Sequence, residues 1–239
     1  MQKYLFMKGK LYLIPTTLGE SDLNTVIPLG VQSIIENCKH FIVEDLKTAR
    51  RYLKRVNREI IIEELTFFIL NKHTEPSVLS TFIEPIKEGH NIGVISEAGC
   101  PAVADPGSDI VALAHEKNYE VVPLVGPSSI LMGLMASGFN GQQFTFHGYL
   151  PKDNHDRKRK VLEMEKQASM GHTQIFMETP FRNQSLLNDL LHWCDVSTKV
   201  CIATDITLPS ETIKTRVVKQ WQINTPNISK RYCMFLMGK

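Results

Sequence analysis

The sequence predicts an α/β protein in two parts: a first half with a largely parallel sheet and flanking helices, then an α+β second half with a mixed sheet. Two observations carry this. Over residues 11–124, short apolar runs alternate with helical patterns, the order expected of parallel strands joined by crossover helices. After Gly138-Phe139-Asn140-Gly141 the pattern restarts, but its last two apolar runs have no helix of useful length between them. The boundary is set near residues 126–141, giving expected domains 1–125 and 126–239.

In the first half the expected strands are 11–14, 41–43, 66–70, 92–95 and 121–124. Between the first two, Thr25 is expected to cap a helix that carries Pro28 in its first turn. A basic amphipathic helix starts near Leu46, and Pro76 opens another that closes near Gly89. Asp105-Pro106-Gly107 precedes a helix over 108–116, and Val125-Gly126-Pro127-Ser128-Ser129 leads into an apolar helix over 130–137. In the second half, strands at 144–147, 173–177 and 199–203 alternate with helices at 157–167 and 183–193; strands at 212–218 and 232–237 complete the chain.

Composition narrows the partners. A 239-residue chain with a formal charge of +2 has no overall polyelectrolyte character, so any basic surface is local. Five cysteines without Cys-x-x-Cys spacing argue against a disulfide framework or a zinc site, and no metal is expected. Lys3, Lys8 and Lys10 interrupt the apolar residues at the start, so no leader is expected, and no later run reaches membrane-spanning length. A cytoplasmic protein without a membrane partner is the expectation. Neither a Walker phosphate loop nor a Gly-x-Gly-x-x-Gly fingerprint occurs, which weighs against a nucleoside triphosphate or a dinucleotide.

The most informative stretch is 94–107, Val-Ile-Ser-Glu-Ala-Gly-Cys-Pro-Ala-Val-Ala-Asp-Pro-Gly, where a buried-strand pattern runs straight into a turn-rich loop with two acids. In open α/β sheets ligands collect where strands end, so Glu97 and Asp105 are candidates to hold polar ligand groups. Asp105 serves equally well as a cap for the helix that follows.

These residues carry a resemblance. Residues 11–19 (Leu-Tyr-Leu-Ile-Pro-Thr-Thr-Leu-Gly), Val43-Glu44-Asp45, Ser96-Glu97-Ala98-Gly99-Cys100-Pro101, Asp105-Pro106-Gly107 and Gly126-Pro127-Ser128 resemble the tetrapyrrole methylase superfamily. Gly148-Tyr149-Leu150-Pro151, Glu178-Thr179-Pro180 with Arg182, and 203–207 with Glu211 follow in the order of its ribosomal RNA branch, which methylates a cytidine 2′-hydroxyl of the small-subunit RNA. The resemblance implies a two-domain tetrapyrrole-methylase-like fold with a cofactor cleft between the domains, S-adenosylmethionine as methyl donor, RNA or a ribosomal particle as partner, and a homodimer. By motif position it assigns cofactor contacts to Leu18, Glu97, Gly99, Cys100, Ser128, Ser129, Met177 and Ala203. Packing or capping is the alternative for Met177 and Ser129.

Methyl transfer to a ribose hydroxyl benefits from a general base. Glu44, Asp45, His73 and Glu178 are candidates because each lies at or just beyond an expected strand end. For RNA, Lys47, Arg50, Arg51, Lys54, Arg55 and Arg58 recur at helical spacing and form one basic face; Arg182 is assigned by the resemblance, and 157–160 (Arg-Lys-Arg-Lys) is a second cluster. Solvated helix faces are the alternative for both runs, and Tyr52 or Tyr149 is a possible base-stacking aromatic. The chain also departs from the branch. Glu97 stands where it usually has aspartate, Cys100 where it has threonine, Glu20 where asparagine is frequent, and Lys47-Thr48 where it has Arg-His. Asn71 and Phe181 replace histidines, Thr204 and Leu208 replace basic residues, and Lys230-Arg231-Tyr232 replaces Lys-Gly-Glu, whereas His73, Glu75, Arg182 and Glu211 are retained. Three functions remain open: an RNA methyltransferase, a methylase of a tetrapyrrole or other small molecule, and a cofactor-binding protein without catalysis.

Overall fold

The computed structural model describes residues 8–239; Lys3, counted above against a leader, lies outside them. The chain divides into two compact units, one up to Pro127 and one from Ser128 onward. No helix among the described residues is long and apolar enough to cross a membrane.

The first unit is built on β1 (Lys10–Ile14), β2 (His40–Val43), β3 (Thr66–Ile69), β4 (Ile92–Ile95) and β5 (Glu120–Pro123), ordered β3-β2-β4-β1-β5. Every pairing is parallel, so the largely parallel sheet expected here is wholly so. All four residues of β4 are buried, as a strand covered on both faces must be. Alternation along β2 sorts its side chains to two cores. Phe41 and Val43 join Val31 and Ile35 of α2 (Leu29–Asn37) and Ala49 and Leu53 of α3 (Leu46–Val56); Ile42 instead joins Leu11, Ile92, and Ile110 and Ala114 of α5 (Gly107–Glu116).

Two expected helices are corrected. Asp22, not Thr25, caps α1 (Leu23–Val26), accepting from the Asn24 amide at 3.1 Å, and Pro28 is the N-cap of α2. A residue before proline is pushed out of the helical region, and Ile27 is accordingly extended at φ −116°, ψ 115°, so the two helices cannot merge. The segment from Pro76 to Gly89 is a 3-10 turn (Pro76–Val78), the short α4 (Leu79–Phe82) and a second 3-10 turn (Glu84–Glu88). Pro85 has no N–H with which to continue a helix.

The second unit carries β6 (Phe144–Tyr149), β7 (Thr173–Met177), β8 (Lys199–Thr204), β9 (Thr212–Val217) and β10 (Cys233–Gly238), ordered β6-β7-β10-β8-β9. Only β6 and β7 pair in parallel, which makes this the mixed sheet expected. The last strand in sequence lies at its centre with all six residues buried. Phe235 and Met237 point into a core with Val161 and Met164 of α7 (Asn154–Ser169), Leu187 and Leu190 of α8 (Asn183–Trp193), and Trp221 of α9 (Val218–Ile223). On the other face α6 (Ser129–Ser137) packs against β10, and a Cβ on Gly133 would lie 3.4 Å from Leu236. Helix α7 begins three residues earlier than expected because Asp153 caps it, accepting from the Asp156 amide.

Candidate active site

Because the first sheet is parallel, all its carboxyl ends share one edge. Val43, Ile95 and Ile14 lie in register across β2, β4 and β1, so Glu44, Ser96 and Pro15 leave the sheet side by side. The chain leaves β1 toward β2 and leaves β4 toward β5, in opposite directions along the strand order. That divergence is the switch point at which open α/β sheets leave a crevice.

Three loops meet there. The Thr16 amide donates to the Gly99 carbonyl at 2.9 Å, and the Thr16 hydroxyl donates to Ser96 O at 3.3 Å. Gly99 is left-handed at φ +73°, and a Cβ on it would stand 3.0 Å from Leu18 Cδ2 and 3.1 Å from Pro127 O. Only glycine meets both demands without strain. Cys100 Sγ lies 3.5 Å from the Pro127 carbonyl. Leu18, Glu97, Gly99 and Cys100 thus belong to one loop cluster of the first unit.

Four carboxylates gather on the same edge. Asp45 caps α3, its Oδ1 accepting from the Thr48 amide at 2.8 Å, and these bonds hold its carboxyl below the usual range. The Thr48 hydroxyl also lies 2.7 Å from Glu97 Oε1. Asp105 Oδ1 accepts from the amides of Ala102 at 2.9 Å and Gly107 at 2.7 Å, so it fastens the start of α5; Oδ2 is buried without a hydrogen-bond partner. Burial raises the Asp105 carboxyl. Glu44 is raised as well, by burial first and then by the charges of Glu97, Asp105 and Asp45. A cavity of about 10 Å³, the size of a single water, lies between Glu44, Ser96 and Asp105. His73 lies exposed on the turn after β3, with its amide donating to Asn71 Oδ1.

On α3, Lys47, Arg50, Arg51, Lys54 and Arg55 are exposed, as the spacing predicts. Among the described residues only Arg55 has a carboxylate within 4.0 Å, Glu20 at 3.9 Å, and it also donates to Ser21 O. Arg50 lies over the Phe67 ring. Tyr52 is buried with its hydroxyl on Pro15 O at 2.7 Å, which removes it as a stacking surface; Tyr149 is 58% exposed. In the 157–160 run three of the four basic residues have carboxylate partners: Arg157 pairs with Asp189, Arg159 with Asp156 and Lys160 with Glu163.

In the second unit, Ser128 caps α6 by accepting from the Leu131 amide, and Ser129 is the first residue of that helix. Met177 and Ala203 both lie opposite Met234 of β10, on its two sides. Glu178 is 6% exposed, accepts from the Thr179 amide and pairs with Arg182 Nη2 at 2.5 Å, which gives both side chains a structural job at the start of α8. From sequence Thr48 stands out only as a departure from the branch, because a threonine in a first helical turn carries no signal of a contact with Glu97. Its link to Glu97 spans 49 positions and exists only in the fold.

No protein-family model matches the sequence. Among solved structures, the methyltransferase CobJ (TM-score 0.64, 17% identity, 97% of this chain and 94% of that one) and the cobalamin biosynthetic enzyme cobalt precorrin-4 methyltransferase CbiF (TM-score 0.61, 16% identity, 100% and 97%) share the fold. In sequence, the ribosomal RNA small subunit methyltransferase I of Vibrio cholerae is 32% identical over 204 residues, covering 85% of this chain and 67% of that protein. The protein of the same name from Haemophilus influenzae is 34% identical over 69% of this chain and 58% of its own length. That from Leptospira borgpetersenii is 30% identical over 86% of this chain and 78% of its own. The matched stretch thus spans roughly three fifths to four fifths of these relatives. With 30 to 32% identity to relatives covered over two thirds or more of their length, the chain belongs to the ribosomal RNA small subunit methyltransferase I family, and it shares the fold of CobJ and CbiF along nearly its whole length.

Proposed function

We propose that this protein methylates small-subunit ribosomal RNA at a ribose 2′-hydroxyl, using S-adenosylmethionine, with Glu44 as general base. The observation that carries this is the relationship to small-subunit ribosomal RNA methyltransferases over 85% of the chain. The basic face of α3, largely free of acidic partners, supports an RNA substrate.

The loop cluster fits S-adenosylmethionine. When bound, that cofactor supplies a methyl carbon activated by a positively charged sulfur. Gly99 provides the close backbone approach, Leu18 an apolar wall, and Glu97 a carboxylate for a cationic group, held in place by Thr48. The orphaned Oδ2 of Asp105 offers a further acceptor on the same edge. A raised carboxyl holds a proton more strongly, so Glu44 in its ionised form would take the hydroxyl proton as the ribose oxygen displaced the thioether sulfur from the methyl carbon. Positioning supplies the rest, because an in-line displacement needs the reacting atoms held about 3 to 3.5 Å apart. A homodimer is part of the proposal, supported by Leu131 and Met135, four residues apart on α6 and 52% and 82% exposed.

Incubation with methyl-labelled S-adenosylmethionine and small-subunit RNA lacking the modification tests the assignment. Label released as a 2′-O-methyl nucleoside is expected. Label in a tetrapyrrole substrate and none in RNA would overturn the RNA assignment, and cofactor binding without transfer to either would overturn the catalytic one.

A further inference from the structure

The second unit carries a groove of about 410 Å³ along its edge strand β9, with walls that include Lys214, Arg216, Trp221 and Arg231 and no aspartate or glutamate. Lys214 and Arg216 stand two apart on the strand and face the same side. Arg216 lies 5.2 Å over the ring of the buried Trp221, and that indole is itself fixed by donating to Val200 O at 2.9 Å. Arg231 enters from the segment before β10, its Nε held by Asp205 Oδ2 at 2.7 Å and its Nη2 by the Ser210 carbonyl. Lys214 has no carboxylate within 4.0 Å among the described residues. A second groove of about 230 Å³ shares Arg216 and adds Lys199, again without an aspartate or glutamate in its walls.

Edge strands often carry lysine simply to discourage pairing with another strand. That accounts for Lys214 alone. It does not account for Arg216 seated on a buried indole or for Arg231 brought in from another segment and braced by two acceptors. Side chains two apart on a strand are separated by about 6.6 Å, close to the spacing of successive phosphates along a single strand. Lys214 and Arg216, spaced along the strand rather than converging on one point, suit a chain of phosphates better than a single anion, and Arg231, although paired with Asp205, completes that wall of the groove.

We propose that the β9 groove grips the sugar-phosphate backbone of the RNA substrate, as a contact surface additional to the α3 face. This rests on the RNA assignment above. Trp221, being buried, positions Arg216 and does not stack on a base, so the groove contributes affinity without sequence preference.

The test uses the full chain and a labelled small-subunit RNA fragment, with binding followed by anisotropy over a range of salt concentrations. Lys214→Gln with Arg216→Gln should weaken RNA binding about tenfold and flatten the slope of log K against log salt by about 0.7 to 0.9 for each charge removed. S-adenosylmethionine affinity should be unchanged. Because Arg216 packs on the core residue Trp221, Lys214→Gln alone serves as the variant that leaves the core untouched, and it should flatten the slope by half as much. Equal affinity and equal slope in both variants would overturn the groove while leaving the RNA assignment intact. So would a change in oligomeric state with an unaltered slope, which would make β9 an interface between copies. A parent protein that neither binds nor methylates RNA would sink both.

Discussion

The Thr48 hydroxyl lies 2.7 Å from the Glu97 carboxylate, tying the first turn of α3 to the loop after β4. Glu97 is exposed, so without this tether its longer side chain would sample several rotamers before meeting a ligand. Thr48→Val removes the hydroxyl at nearly constant shape. S-adenosylmethionine affinity should fall about tenfold, the scale of one hydrogen bond to a charged group, with little change in melting temperature. Titration calorimetry checks this, and an unchanged affinity would detach Glu97 from the cofactor.

Gly99→Ala should act on both stability and binding. Its φ of +73° costs an alanine about 1 to 2 kcal/mol, and the new Cβ would press on Leu18 and the Pro127 carbonyl. A lower unfolding midpoint and at least a tenfold loss of cofactor affinity are expected. Loss of stability with full retention of affinity would separate the loop from the ligand.

Glu44→Gln keeps the shape of the side chain and removes its charge. Single-turnover methyl transfer should drop by about 10² to 10⁴ while cofactor binding persists. The parent should lose activity as the pH falls through a value above the ordinary glutamate figure of 4.5, because burial and the neighbouring carboxylates make Glu44 hold its proton more strongly. An acid limb that survives unchanged in the variant would assign it to another group.

On α3 the informative pair is Lys47 and Arg51, since Arg55 is engaged by Ser21 O and Lys54 by Arg58 O. Lys47→Gln with Arg51→Gln should weaken RNA binding and lower its salt dependence, again by about 0.7 to 0.9 per charge, with the fold intact by circular dichroism. A salt-independent parent would return this face to a purely solvating role.

Arg182→Ala should be chiefly a stability variant. It leaves the buried Glu178 without its counter-charge; because the Arg182 side chain is itself 36% exposed, the cost falls below that of a fully buried pair, at about 1 to 3 kcal/mol. Denaturant unfolding should show the loss. Glu178→Gln with Arg182→Ala should recover much of it, and failure to recover would mean that Arg182 matters for more than its partner.

The sequence placed the acids on one sheet edge because strand ends are written locally: apolar runs stop at Val43 and Ile95, and Glu44 and Glu97 follow one and two residues on. It misplaced the first helix because Thr25 and Asp22 are both good caps, and only the extended Ile27 before Pro28 decides between them. Charge runs were legible as charge but not as availability. Arg157, Arg159 and Lys160 find acids, Asp189 among them from another helix, while Lys47 and Arg51 have none within 4.0 Å among the described residues. The β9 groove was not legible at all, since Lys214, Trp221 and Arg231 belong to separate elements that converge only when the sheet forms.

The position of β10 sets an order of events during synthesis. All five strands of the first sheet have been made once Pro123 is linked, so that unit can fold while the remaining chain is still being translated. The second sheet has no such option. Its middle strand, Cys233–Gly238, is translated last, and until it arrives β7 and β8 expose unpaired edges to the crowded interior of a cell. Nascent chains stalled or truncated before Cys233 should therefore carry one folded unit and one adhesive one, a state that chaperones and proteases recognise.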